Sequence, residues 1–118
     1  MNNRKIKFRI WVKSEGKMYN WYGNQDIILD AIPYDAGDEW TENCELMQFT
    51  GLYDQNENEI YEDDIITWEN RQMECKIVFK DCQFVCCDLD GSYEERLGLH
   101  DPIRIIGNIF ENPELCAR

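Results

Sequence analysis

Apolar and polar residues alternate at the start of the chain. In KIKFRIWV, residues 5–12, Ile6, Phe8, Ile10 and Val12 fall on one side and Lys5, Lys7, Arg9 and Trp11 on the other, the period of two that a half-buried strand requires. KSEGK then supplies a turn centred on Gly16, and MYNWY reads as a short aromatic return strand. The pattern weakens over residues 23–43, where Pro33, Gly37 and several acids surround Ile27, Ile28 and Leu29. A short strand followed by a long loop is expected there.

Beyond residue 43 the strand pattern returns. ELMQFT reads as a strand, DQNEN as a turn, and EIYEDDIITW as a bend running into another strand. MECKIVFK places Cys75, Ile77 and Phe79 on one face, and QFVCCDL follows a break at Asp81. Asp90-Gly91 is a turn signal between strand-like residues. IRIIGNIF is the last strand, with Gly107 inside it pointing to a bulge or a close backbone approach. In ENPEL, Asn112 can cap a short helical turn begun by Pro113, a residue with no orphan N–H to satisfy. Long amphipathic helices are absent, so many short strands at even spacing predict an all-β fold, a small bent barrel or roll. At 14.1 kDa such a chain removes roughly two thirds of its surface from water, enough for a core. One domain is expected over residues 1–118, with a hairpin and loop region at 1–45 and the barrel at 46–118.

Charge changes the picture of partners. Acids outnumber bases 24 to 12, a net charge of −12. The distribution is uneven: residues 1–17 hold Arg4, Lys5, Lys7, Arg9, Lys13 and Lys17 against Glu15 alone, a net of +5 on a body of −17. Such a field repels nucleic-acid phosphates and anionic membranes, and favours cationic protein surfaces. The basic start runs directly into alternation instead of an apolar block, unlike a signal peptide. No apolar run approaches the ~18 residues of a membrane-spanning helix. A cytoplasmic protein is expected, with Cys44, Cys75, Cys82, Cys86, Cys87 and Cys116 as reduced thiols, several of them buried as small hydrophobes.

Candidate chemistry is thin. Asp54-x-Asn56-x-Asn58 matches the first ligands of an EF-hand loop, which then needs Gly at its sixth position and a bidentate acid at its twelfth; Glu59 and Ile65 stand there. A turn explains the same residues, because Asp and Asn bond their own backbone two residues on. Cys82, Cys86 and Cys87 with His100 fail as a zinc site in an extended segment, where residues four apart lie ~13 Å apart and adjacent cysteines face opposite ways. A Cys–His nucleophile has no orienting group in view. The paired acids Asp38-Glu39, Asp63-Asp64 and Glu94-Glu95 are what 24 acids give by chance, and phosphate-binding glycine loops and nucleophile elbows are missing. Trp11, Tyr19, Trp21 and Tyr22 could stack single-stranded bases, but aromatics in a hairpin commonly pack across strands.

Three segments together, residues 5–18, 46–66 and 106–115, resemble the YopX family, small proteins of phages and prophages in Gram-positive bacteria. That resemblance implies an SH3-like β-barrel in the C-terminal part with an N-terminal β-hairpin extension, a bacterial host cytoplasm, and no activity or catalytic residue that can be carried over. Glu57 and Asp63 stand where the family commonly has Gly, and Asn56, Asn58 or Asp63 could hold the positive φ such turns need. Ile10 and Val12 replace the more usual Ala and Asp, making the first strand more apolar. The function expected is that of a non-enzymatic protein-interaction module without cofactor or metal, able to self-associate, with Lys5, Lys7, Arg9 and Trp11 as interaction residues. The alternatives are an acidic DNA mimic that regulates a host nucleic-acid-binding protein and, behind it, a cysteine-dependent enzyme or metal protein.

Overall fold

The structure, a computed structural model, describes residues 5–32, 39–69, 73–98 and 102–116. It divides into two compact units, Met1–Phe49 and Thr50–Arg118.

In the first unit β1 (Phe8–Val12) is central, antiparallel to β2 (Lys17–Tyr19) on one side and to β3 (Cys44–Tyr53) on the other. Gly16, at φ +60°, closes the β1–β2 turn by donating its N–H to the Val12 carbonyl at 2.9 Å, a backbone conformation that glycine adopts without a Cβ penalty. Ile10 and Val12, both fully buried, pack with Ile28, Ala31 and Cys44. This is the face that alternation predicts, although Ile6 lies ahead of the strand and is exposed. The opposite face corrects the half-buried reading: Lys7 and Arg9 are only 6% and 8% exposed, beside buried Met47 and Phe49. Alternation reveals which residues share a face, not whether that face is covered.

The short strand and long loop expected over 23–43 are replaced by two helices, α1 (Gln25–Leu29) and α2 (Glu39–Asn43); residues 33–38 lie outside the described ones. Ile27, Ile28 and Leu29 look like a strand, but only Ile28 is buried, together with Ala31 three residues on, the spacing of one helix face. Asp26 in α1, and Glu39 and Glu42 in α2, sit in first turns, where free N–H groups favour negative charge.

The second unit holds the end of β3, then β4 (Glu59–Tyr61), β5 (Asp64–Trp68), β6 (Glu74–Lys80), β7 (Gln83–Asp88), β8 (Glu94–Arg96) and β9 (Ile103–Asn108). Five of these form an antiparallel sheet ordered β8-β7-β6-β5-β9. Its inner face buries Ile66, Trp68, Cys75, Ile77, Cys86 and Ile103. The mainly-β architecture with short helical turns is as the pattern predicts; the SH3-like closure rests on the resemblance alone. Between β6 and β7, Lys80 pairs with Gln83, so Asp81 and Cys82 form a two-residue turn with φ of +53° and +63°, the type I′ geometry that suits twisted hairpins.

Gly107 answers to both readings made of it. Ile65 faces Gly107 while Ile66 faces Ile105, so Ile106 is the extra residue of a bulge. A Cβ on Gly107 would also stand 2.5 Å from Asn112 Oδ1.

Candidate functional site

The 46–66 motif is built around Asp54, which is 5% exposed. Its Oδ1 accepts the N–H groups of Asn56 and Asn58, both at 2.9 Å. Oδ2 accepts the Asn58 side-chain amide at 3.3 Å and the Ile105 N–H at 3.2 Å. The Asp54 N–H in turn reaches the Asn58 carbonyl at 2.9 Å. Residues 54–58 are therefore a turn, tied to β9 by one carboxylate. Burial pushes the Asp54 carboxyl up, but the four donors outweigh it and hold the pKa below the ordinary value. Asn56 donates its backbone N–H to Asp54, and Asn58 both its backbone N–H and its side-chain amide. Among the described residues no group of three His, Cys, Asp or Glu is arranged to hold a metal ion.

The positive φ of this turn falls on Glu57 at +65°, and that of the following bend on Asp63 at +69°. Asp63 fits the expectation; Asn56 and Asn58 do not adopt it, which corrects that part. The chain turns back between Asn56 and Asn58 so that both N–H groups meet Oδ1, and this leaves Glu57 as the inverted residue. At Asp63 the N–H reaches the Ile77 carbonyl at 2.8 Å and the carbonyl accepts from Ile109 at 3.1 Å. Its neighbour Asp64 is 2% exposed and accepts the Tyr61 N–H at 2.7 Å. One member of the Asp63-Asp64 pair is thus inside, holding a bend.

The 106–115 motif is a second knot of the same kind. Asn108 Oδ1 accepts the N–H groups of Phe110 at 3.1 Å and Glu111 at 2.8 Å, and its amide donates to Glu111 at 2.7 Å. Pro113 opens a 3-10 turn over Pro113–Leu115 as expected, but the Asn112 side chain does not cap it. Asn112 Oδ1 turns back to accept the Asn108 N–H at 3.1 Å.

The four interaction candidates do not share one open surface. Lys5 is exposed. Lys7 lies inside, its ammonium bonded to the Tyr22 hydroxyl and 4.9 Å from the ring centres of both Tyr22 and Phe49, a cation–π arrangement. Arg9 directs Nε at the Met47 sulfur at 3.3 Å. Trp11 is part-buried between Met18 and Glu45 on the neighbouring strands. Lys13 pairs with Glu45 at 3.1 Å. The hairpin aromatics pack across strands: Tyr19 and Trp21 lie against the Ile10 cluster, and Trp21 meets Phe8 at 6.4 Å.

All six cysteines are free thiols. Cys75 and Cys86 are wholly buried, Cys44 nearly so, and Cys82 and Cys116 are exposed. Cys86 and Cys87 face opposite ways, Cys86 into the core and Cys87 toward Glu94, whose Oε2 lies 3.7 Å from the sulfur. Burial first, then the Glu94 charge, push the Cys87 thiol up, away from the thiolate a nucleophile needs. Glu94 is itself held down by Lys80 at 2.9 Å. His100 lies outside the described residues.

A family model described as YopX protein matches residues 7–117. The crystal structure of a protein from Enterococcus faecalis is similar, with a TM-score of 0.60 and 24% identity over 95% of this chain and 98% of that one. Protein YopX from Bacillus subtilis gives a TM-score of 0.57 and 20% identity over 98% of both chains. No curated protein matches the chain.

Proposed function

Since the chain belongs to the YopX family, we propose that its members' shared scaffold serves here as a non-enzymatic module that binds another protein. One observation carries this reading: among the described residues, the buried carboxylates and core thiols are occupied in holding the fold. Asp54 and Asp64 accept backbone N–H groups at turns, Cys75 and Cys86 fill the core, and Cys87 is held as a neutral thiol by its surroundings. A general base or nucleophile needs a titratable group facing a space that substrate can enter. Surface residues, by contrast, are free to make contacts.

The test compares affinity capture by tagged wild-type protein with capture by a variant carrying serine at Cys82, Cys87 and Cys116. The module binds the same protein with or without these thiols. Loss of capture in the serine variant, with its circular dichroism unchanged, would turn the reading toward cysteine chemistry.

A further inference from the structure

The five-stranded sheet sorts its charges by face. Residues directly opposite one another on paired strands share a face, and the register Arg104–Thr67–Glu74, Ile65–Lys76–Cys87–Glu94 and Val78–Val85–Arg96 places Lys76, Lys80, Arg96 and Arg104 together on the outer face. These are all the lysines and arginines described in the second unit. Within the paired strands only Glu74 and Glu94 join them, so this face carries +2 while the rest of the chain carries −14. Lys80, Arg96 and Arg104 are exposed. In the first unit the reverse occurs: α1 and α2 present exposed Asp26, Asp30, Glu39 and Glu42 with no basic residue in their last turns, and α1 also exposes Ile27 and Leu29.

We infer that the outer face of this sheet docks the acidic α1–α2 surface of a second copy of the chain. The inference rests on the protein-binding reading above and names the partner. Like net charges repel at long range, but within a screening length of ~10 Å at 0.1 M salt the local complement dominates. Ile65 and Val85 on this face are buried, so its open part is smaller than the roughly 400 Å² that five strands ~4.8 Å apart and about five residues deep would span, and less than half of the ~800 Å² per partner that a stable interface uses. The contact is therefore weak and salt-sensitive. Because two different surfaces meet, association continues beyond a dimer unless a ring closes.

Sedimentation velocity over a concentration series at low and high salt tests this. Wild-type protein associates at ~0.1 M salt, where the repulsion between like net charges is screened, and is monomeric at high salt. Reversal at the face (Arg96→Glu with Arg104→Glu) weakens association by about tenfold or more, since like charges then oppose. Reversal at the helix (Asp26→Lys with Asp30→Lys) does the same, and an equimolar mixture of the two variants associates again, because each supplies the surface the other lacks. Lys5→Glu with Lys17→Glu, which reaches the same net charge as the face variant, leaves association unchanged. A monomer under all conditions, association indifferent to the face variant, no recovery in the mixture, or a shift only on adding duplex DNA overturns the inference. If the face variant leaves self-association unchanged while the protein still captures a different protein, the docking surface is refuted and the protein-binding reading stands.

Discussion

Glu57 and Asp63 occupy the left-handed region at φ +65° and +69° without being glycine. An L residue there costs about 1–2 kcal/mol, and glycine gives back ~0.5–1 kcal/mol of that through its freer unfolded chain. Glu57→Gly should therefore raise stability by about 0.5–1 kcal/mol, seen as a higher urea midpoint at unchanged slope. Asp63→Gly should gain less, because Asp tolerates this region better. Gly107 behaves in the opposite sense. A Cβ there meets Asn112 Oδ1 at 2.5 Å, and moving that oxygen breaks its bond to the Asn108 N–H. Gly107→Ala should cost about 1–3 kcal/mol in the same urea titration. The turn at 54–58 was legible because Asp and Asn bond their own backbone. Which residue inverts was not, since it depends on two N–H groups converging on one oxygen.

The β6–β7 hairpin shows the same limit among elements. Cys75 and Ile77 alternate clearly and are buried, so the strand was legible, but Asp81-Cys82 lacks the Gly that marks a type I′ turn. The structure nonetheless puts both residues at positive φ. Cys82→Gly should add about 0.5–1 kcal/mol for the same conformational reason as at Glu57, read as a rise in melting temperature. Thiol reactivity follows from placement: Cys82 and Cys116 are exposed, whereas Cys87 is part-buried with Glu94 at its sulfur. A neutral-pH titration with an aromatic disulfide should modify Cys82 and Cys116 first and Cys87 distinctly later, located by peptide mass. The helix α1 was illegible because three consecutive apolar residues carry no period, and only the Ile28–Ala31 spacing separates helix from strand. Lys7 and Arg9 were misjudged for a different reason: what covers a face is tertiary information.

Across the whole molecule two electrostatic effects oppose each other as pH falls. At pH 7 a net charge of −12 destabilises the compact state by self-repulsion, and protonating exposed carboxylates on the way to the pI of about 4.4 relieves it. Asp54 acts the other way. Its folded pKa lies below the ordinary 3.8, so its contribution is complete above 3.8 and is lost as pH falls from there through the folded value. Melting temperature should therefore rise from pH 7 toward pH ~5 and fall again below ~4. Asp54→Asn keeps the shape but offers one carbonyl oxygen where a charged pair of oxygens received four donors, so it should melt lower at neutral pH. As pH falls from 3.8 through the lower folded value the wild-type group takes up its proton, and the two proteins should converge. A gap between wild type and Asp54→Asn that stays constant from pH 7 to pH 3 would mean that the charge on Asp54 is not what ties the β3–β4 turn to β9.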